Sequence, residues 1–331
     1  MTQLLPFRVL ITLLVLLIGS TVPFALGAQA AATPTPELLA TPVPTTGDFA
    51  GLVDIGDGRK MFLECRGEGG PTVILVSGYR NDADIWDSDA IDPASGQTAV
   101  LPGVAGFTRV CAFDRPGTVL DGENFSRSDP VPMPRTAQDV VTDFHDLLQA
   151  AGVPGPYVLA GHSFGGLFSR LYASTYPEEV AGLIMVDSLP ETIPDHLAPD
   201  EWPHYRNAIQ LVPEALARYA DLETLDVDAS FTQMRDAAET TPFQDKPLVV
   251  ITRTEPFGIP EESLGFSPDT LEQAWLAAQM DLIALTPDAH HLVADQSAHY
   301  VQITQPDVVI AAIRSVVDAV SDPGSWATPV A

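Results

Sequence analysis

The stretch Gly161-His162-Ser163-Phe164-Gly165-Gly166 constrains this chain more than any other. An apolar run, Tyr157-Val158-Leu159-Ala160, leads into it, and a helix-compatible run from Gly166 to Tyr176 leaves it. A strand must therefore turn sharply into a helix, with Ser163 at the tip of the turn. Small residues at 161 and 165 suit such a turn, because no space remains for a Cβ beside the serine. The turn pushes the hydroxyl out of the sheet edge. It also aims the next backbone N–H, at the positive end of a helix, at any negative charge formed there.

The rest of the chain repeats the same alternation of strand and helix. Strands are expected at Phe49–Asp54, Lys60–Cys65, Thr72–Val76, Arg109–Phe113, Tyr157–Ala160, Leu183–Val186, Leu248–Thr252 and His291–Ala294. The first two are polar and flanked by glycine, which suits a hairpin at a sheet edge. The later ones are continuous Val/Ile/Leu runs, the pattern of parallel strands buried on both faces. Between them lie amphipathic helices. In Thr136–Ala151, Val140, Val141, Phe144, Leu147, Leu148 and Ala151 share a face, with Thr136 and Gly152 as caps. Leu271–Leu285 and Asp307–Val320 carry similar stripes, the second with Pro306 at its start. The expected class is α/β, a mostly parallel eight-stranded sheet flanked by helices. Between Ser188 and Lys246 the strands stop and Asp, Glu and Pro accumulate. At that length it is no simple loop, and a helical lid inserted at about 189–246, above the C-terminal edge of the sheet, is expected. No internal repeat is visible.

The N-terminus has its own logic. Arg8 precedes the apolar run Val9–Ile18, and a softer stretch ends in Ala28-Gln29-Ala30, a small-x-small cleavage pattern. Residues 1–30 therefore read as an export signal. The alternative is an uncleaved anchor, since Val9–Ala30 nearly reaches the length of a membrane span, although Gly19, Ser20, Thr21 and Pro23 weaken it. Residues 31–47, with prolines among threonines and alanines, read as a stiff linker, leaving 48–322 as the folded domain. The expected location is secreted or extracytoplasmic, with membrane contact only through the N-terminal segment if it is retained. The formal net charge of −28 repels nucleic acid and anionic membranes, which excludes both as partners and disfavours polyanionic substrates.

Four local patterns together resemble the α/β-hydrolase superfamily of serine esterases and lipases, over about residues 50 to 320. Gly161–Gly166 is similar to its nucleophile elbow. Ala112-Phe113-Asp114-Arg115-Pro116-Gly117 is similar to its Asp-Arg-x-Gly turn after strand four. Tyr176–Val180 followed by Gly182–Asp187 resembles the passage from helix to strand six. Ala294-Asp295-Gln296-Ser297-Ala298-His299-Tyr300, then Gln305-Pro306, resembles the histidine loop before the last helix.

The resemblance implies roles. Ser163 would be the nucleophile and His299 its base, since a free hydroxyl needs a base within hydrogen-bond reach. His162 adjoins the serine, but its side chain is expected to point away from the tip; His145, His196, His204, His290 and His291 lie in helix, insertion or strand. The acid that orients the imidazole usually follows strand seven. Here that passage, Thr252-Arg253-Thr254-Glu255-Pro256, lacks the glycine and is short by one residue, with Glu255 its sole carboxylate. The other position, at the end of strand six, is held by Asp187, which is preferred over Glu255. The backbone N–H groups of Phe164 and Tyr79 would form the oxyanion hole, with Gly78 allowing close approach. The family's strand order sets strand two beside strand four and so implies a disulfide between Cys65 and Cys111, the alternative being two buried thiols. The expected reaction is cleavage of an ester or related acyl bond in a small-molecule acyl substrate, through an acyl-enzyme. No metal or other cofactor is implied, because no His/Cys/Glu cluster has ligand spacing. The competing expectation is a non-catalytic extracellular binding protein on the same scaffold.

Overall fold

The computed structural model describes residues 44, 46–88, 91–120, 125–243 and 246–327. The expected export segment, and the expected linker except residues 44, 46 and 47, lie outside the described residues. Eight strands, β1 (Phe49–Gly56), β2 (Arg59–Arg66), β3 (Val73–Val76), β4 (Val110–Phe113), β5 (Tyr157–His162), β6 (Val180–Val186), β7 (Leu248–Arg253) and β8 (His290–Ala294), form one sheet. Its order is β1-β2-β4-β3-β5-β6-β7-β8. β1 and β2 form the expected edge hairpin, β2 meets β4 antiparallel, and every later pairing is parallel. The helices are α1 (Val100–Ala105), α2 (Ala137–Ala151), α3 (Phe164–Thr175), α4 (Glu201–Gln210), α5 (Val227–Thr240), α6 (Glu261–Leu264), α7 (Pro268–Ile283), α8 (Val301–Thr304) and α9 (Pro306–Ser321).

The two-residue period of the strands sorts their side chains into two cores. Ile74, Val76, Leu159, Leu183 and Met185 join one buried cluster with side chains of α2, α3, α5 and α7. Val73, Leu75, Val158, Ala160, Ile184 and Val186 join the other, under α1 and α9. Both faces of the central strands are therefore dry, which is why their sequences are unbroken apolar runs. The α2 caps are as expected: Asp139 N–H donates to Thr136 Oγ1 and Thr136 N–H donates to the Asp139 carboxylate (2.8 Å), while Gly152 ends the helix at φ 63°.

The segment between β6 and β7 divides in two. α5 is a sheet-flanking helix: Phe231 and Met234 enter the core, and Ser230 Oγ accepts a hydrogen bond from the first amide of α2, at Ala137 (2.9 Å). Only the part that precedes it, with α4, reaches over the C-terminal ends of the strands. Cys65 and Cys111 face each other across the antiparallel β2–β4 ladder and form a disulfide. Their Cα atoms are 4.0 Å apart, nearer than the roughly 4.4–6.8 Å usual for such bridges. Among the described residues, no helix is long and apolar enough to cross a membrane.

Candidate active site

β5 ends at His162, and α3 begins at Phe164, so the whole turn is Ser163. Ser163 sits at φ 54°, ψ −123°, a conformation that a side-chain-bearing residue adopts only when its surroundings enforce it. The enforcement is visible at the flanking glycines. A Cβ on Gly161 would lie 2.4 Å from the carbonyl oxygen of Gly165, and one on Gly165 would lie 2.0 Å from that of Val76. Strand, turn and helix thus meet backbone to backbone.

Asp187 follows β6 directly, fully buried and also at positive φ (39°). Its Oδ2 accepts from His299 Nδ1 (2.6 Å) and from Arg253 Nε (3.1 Å), and its Oδ1 accepts from Trp275 Nε1 (2.9 Å). A carboxylate can only accept, so the proton of the imidazole is on Nδ1 and Nε2 carries the lone pair. Glu255, the alternative acid, is exposed, and its backbone N–H is bonded to the carbonyl of Ser297 (2.9 Å). Arg253, the last residue of β7, points its charge at Asp187.

The loop after β3 reaches the elbow through Gly78. A Cβ there would lie 2.8 Å from His162 Nδ1 and 3.1 Å from Ser163 Cβ, so glycine is required for the approach. Among the described residues, neither the Tyr79 amide nor the Phe164 amide has a hydrogen-bond partner. The loop is held from behind. Arg115, from the Asp-Arg-Pro-Gly turn, donates to the carbonyls of Ser77 (2.8 Å) and Gly78 (2.7 Å), and its Nε meets Glu223 Oε1 at 2.6 Å. Glu223 Oε2 accepts from the Arg80 amide (2.6 Å). Trp86 is a core residue that donates to Ser77 Oγ (3.0 Å), so it supports the loop from inside.

Ser163 and His299 line one cavity of about 220 Å³, with Tyr79, Phe164, Trp275 and the α4 residues Tyr205 and Ile209 among its walls. It opens at the carboxyl ends of β3, β5, β6 and β8, where ligands of open α/β sheets bind. A larger cleft of about 390 Å³ lies at the other ends of β6 and β7, beside Ala181 and Trp326, and contains none of these residues.

His162 departs from expectation. Its ring does not turn away but lines the same cavity, 4.6 Å from the His299 ring. Its Nε2–H donates to the His299 carbonyl (2.9 Å), and burial holds its basicity well below the ordinary histidine value, so it stays neutral. The strand register explains the direction: His162 is still in β5, paired with Val186 of β6, and the strand alternation rather than the turn aims its side chain. The remaining histidines are engaged elsewhere: His145 with Glu179, His196 with Asp281, His291 with Thr252, His290 stacked on Trp326, and His204 beside Gly265.

Residues 73–312 match the alpha/beta hydrolase family. The chain belongs to that family. The curated relatives include "Probable transporter efuK" of Hormonema carpetanum, 24% identical over 87% of this chain and 45% of that protein. They also include Lipase 3 of Moraxella sp. (strain TA144), 27% identical over 40% of this chain and 37% of the lipase. The chain thus spans less than half the length of either. Among solved structures, a thermophilic esterase from Thermogutta terrifontis superposes with a TM-score of 0.53 at 19% identity, covering 82% of this chain and 99% of the esterase. That likeness speaks to the fold.

Within the alpha/beta hydrolase framework, several residues at the site were not singled out by sequence. Arg253 and Trp275 on Asp187, Glu223 behind the Gly78 loop, and Tyr205 in the cavity wall all arrive from distant segments. Arg115 lay in a motif that sequence did single out, but its partner is 108 positions away.

Proposed function

We propose that this protein is a serine hydrolase that cleaves a carboxylic ester through an acyl-enzyme. Ser163 Oγ attacks the acyl carbon, and its proton passes to Nε2 of His299. The imidazolium is stabilised by Asp187, which also holds the ring by its Nδ1–H. The amides of Phe164 and Tyr79 donate to the oxyanion, whose charge exists only after attack, so these donors lower the barrier more than they tighten binding. As the tetrahedral adduct collapses, the C–O bond breaks and the alcohol leaves with the proton from Nε2. Water then attacks the acyl-enzyme while His299 removes its proton. Collapse of the second adduct releases the acid and returns that proton to Ser163. Every step is a proton transfer or a displacement at carbon, and none calls for a metal or organic cofactor.

The reading rests on one observation: His299 gives Nδ1 to a buried carboxylate at 2.6 Å and shares a cavity with a serine held at the tip of a strained turn. α4 and its flanking turns would act as the lid over the bound acyl group. Export from the cytoplasm belongs to the same proposal, since the Cys65–Cys111 bridge requires an oxidising compartment. The test is active-site labelling. A fluorophosphonate should modify the native protein and spare Ser163→Ala, and p-nitrophenyl butyrate should be hydrolysed by the first alone. A binding protein on this scaffold would take no label and turn over no ester.

A further inference from the structure

Tyr205 is nearly sealed, at 2% exposure, yet it lines the cavity. A buried tyrosine ordinarily gives its hydroxyl to a partner. Among the described residues, that of Tyr205 has none. The phenol is within electrostatic range of Arg253, Asp187 and Glu272, and burial raises its pKa, so it is a neutral donor in the cavity wall. The tyrosines nearby differ: the Tyr79 hydroxyl accepts from Arg80 (3.1 Å), and Tyr300 is exposed.

The cavity wall that includes Tyr205 is aromatic. Phe257 stands edge-on to Trp275 at 4.9 Å, and Tyr79 lies 5.2 Å from Phe164. Two of these rings carry a guanidinium: Arg253 over Phe257 at 3.8 Å and Arg80 over Tyr79 at 4.5 Å. Such a contact draws π density toward the cation and makes the ring a better partner for an electron-rich aromatic group. Apart from His162 and His299, no lining residue is ionisable near neutral pH, so nothing in the wall would offset the burial of a substrate charge. At about 220 Å³ the cavity is smaller than the roughly 300–1,000 Å³ of drug-sized sites, so the group it holds is compact.

We infer that this site accepts an uncharged ester whose acyl group carries an aromatic ring with an oxygen substituent, and that Tyr205 donates a hydrogen bond to that oxygen. The inference rests on the serine-hydrolase reading and adds its substrate class. Tyr205 is then a specificity-determining residue: it leaves the reacting carbonyl alone and rewards one substituent.

The experiment compares p-nitrophenyl esters of 3-phenylpropionate, of its 3- and 4-hydroxy derivatives, of linear octanoate, and of a succinate half-ester, with native protein and Tyr205→Phe. Native protein should prefer the aryl esters to octanoate and to the charged half-ester. It should favour one hydroxy isomer over the unsubstituted ring by about 5- to 10-fold in kcat/KM, the yield of one neutral hydrogen bond. Tyr205→Phe should lose the preference, the ratio of kcat/KM for the favoured hydroxy ester to that for the unsubstituted ester falling to about 1. Equal kcat/KM for all three aryl esters, or an equal fall on all three in Tyr205→Phe, overturns the inference while fluorophosphonate labelling of Ser163 keeps the hydrolase reading. Absence of labelling overturns both.

Discussion

Arg115 and Glu223, 108 residues apart, form an ion pair with both side chains 2% exposed, and the same guanidinium holds the carbonyls of Ser77 and Gly78. The pair joins the Asp-Arg-Pro-Gly turn to the segment between β6 and β7 and fixes the loop whose next amide, at Tyr79, faces the elbow. Removing one partner strands the other charge in the core, which costs about 3–5 kcal/mol, whereas removing both is far milder. Urea denaturation should therefore show Arg115→Met strongly destabilised and the double variant Arg115→Met/Glu223→Leu largely recovered. The double variant should nevertheless stay impaired in kcat, because its loop has lost the clamp.

The carboxylate that serves His299 can be identified kinetically. Asp187→Asn should depress kcat on the order of 10⁴-fold, since an amide cannot hold the same imidazole tautomer. Glu255→Gln should leave kcat within about 2-fold, because Glu255 is on the surface and such changes are usually small. Near-native turnover by Asp187→Asn, measured on p-nitrophenyl butyrate, would reassign the acid.

Gly78→Ala tests the proposed oxyanion loop without removing any functional group. The added methyl would lie 2.8 Å from His162 Nδ1, so the loop must retreat and carry the Tyr79 amide with it. Losing one such donor costs about 10²- to 10³-fold in kcat. KM should change much less, and this split between kcat and KM is the signature to look for.

Asp82, buried just beyond this loop, sets a pH dependence of stability. Burial, then the nearby charges of Asp114 and Asp84, raise its pKa to about 7, with Arg127 acting in the other direction, and its Oδ2 has no partner among the described residues. The unfolded chain releases this proton near pH 3.9, whereas the folded one keeps it until about 7. Folded protein therefore binds more protons between those limits, and stability falls as pH rises through that window. Asp82→Asn removes the effect. Relative to native protein, it should show no advantage near pH 4 and an advantage of more than about 1 kcal/mol at pH 8, read from denaturation midpoints at the two pH values.

Much of this architecture was legible because it is local. The Tyr157–Gly166 stretch needs only glycines around a serine to specify its turn, and the central strands announce double-sided burial by unbroken Val/Ile/Leu runs. The preference for Asp187 as the acid, which belongs to the proposed function, rests on a local defect, the missing glycine after β7. The direction of His162 is not legible from the turn motif, because the residue belongs to the strand and not to the turn. α5 was folded into an undivided insertion, although Val227, Phe231 and Met234 already mark a core-facing stripe at helical spacing. The ties of Arg253 and Trp275 to Asp187, and of Arg115 to Glu223, depend on which strands become neighbours, and side-chain chemistry alone does not specify that.

His299 meets Asp187 from 112 positions further along the chain and arrives on the loop after the last strand. On the proposed mechanism, a polypeptide emerging from the ribosome presents its serine and its carboxylate long before its base. Acyl transfer would then wait until the loop after β8 is in place, and the finished sheet would work as its own safety catch during synthesis.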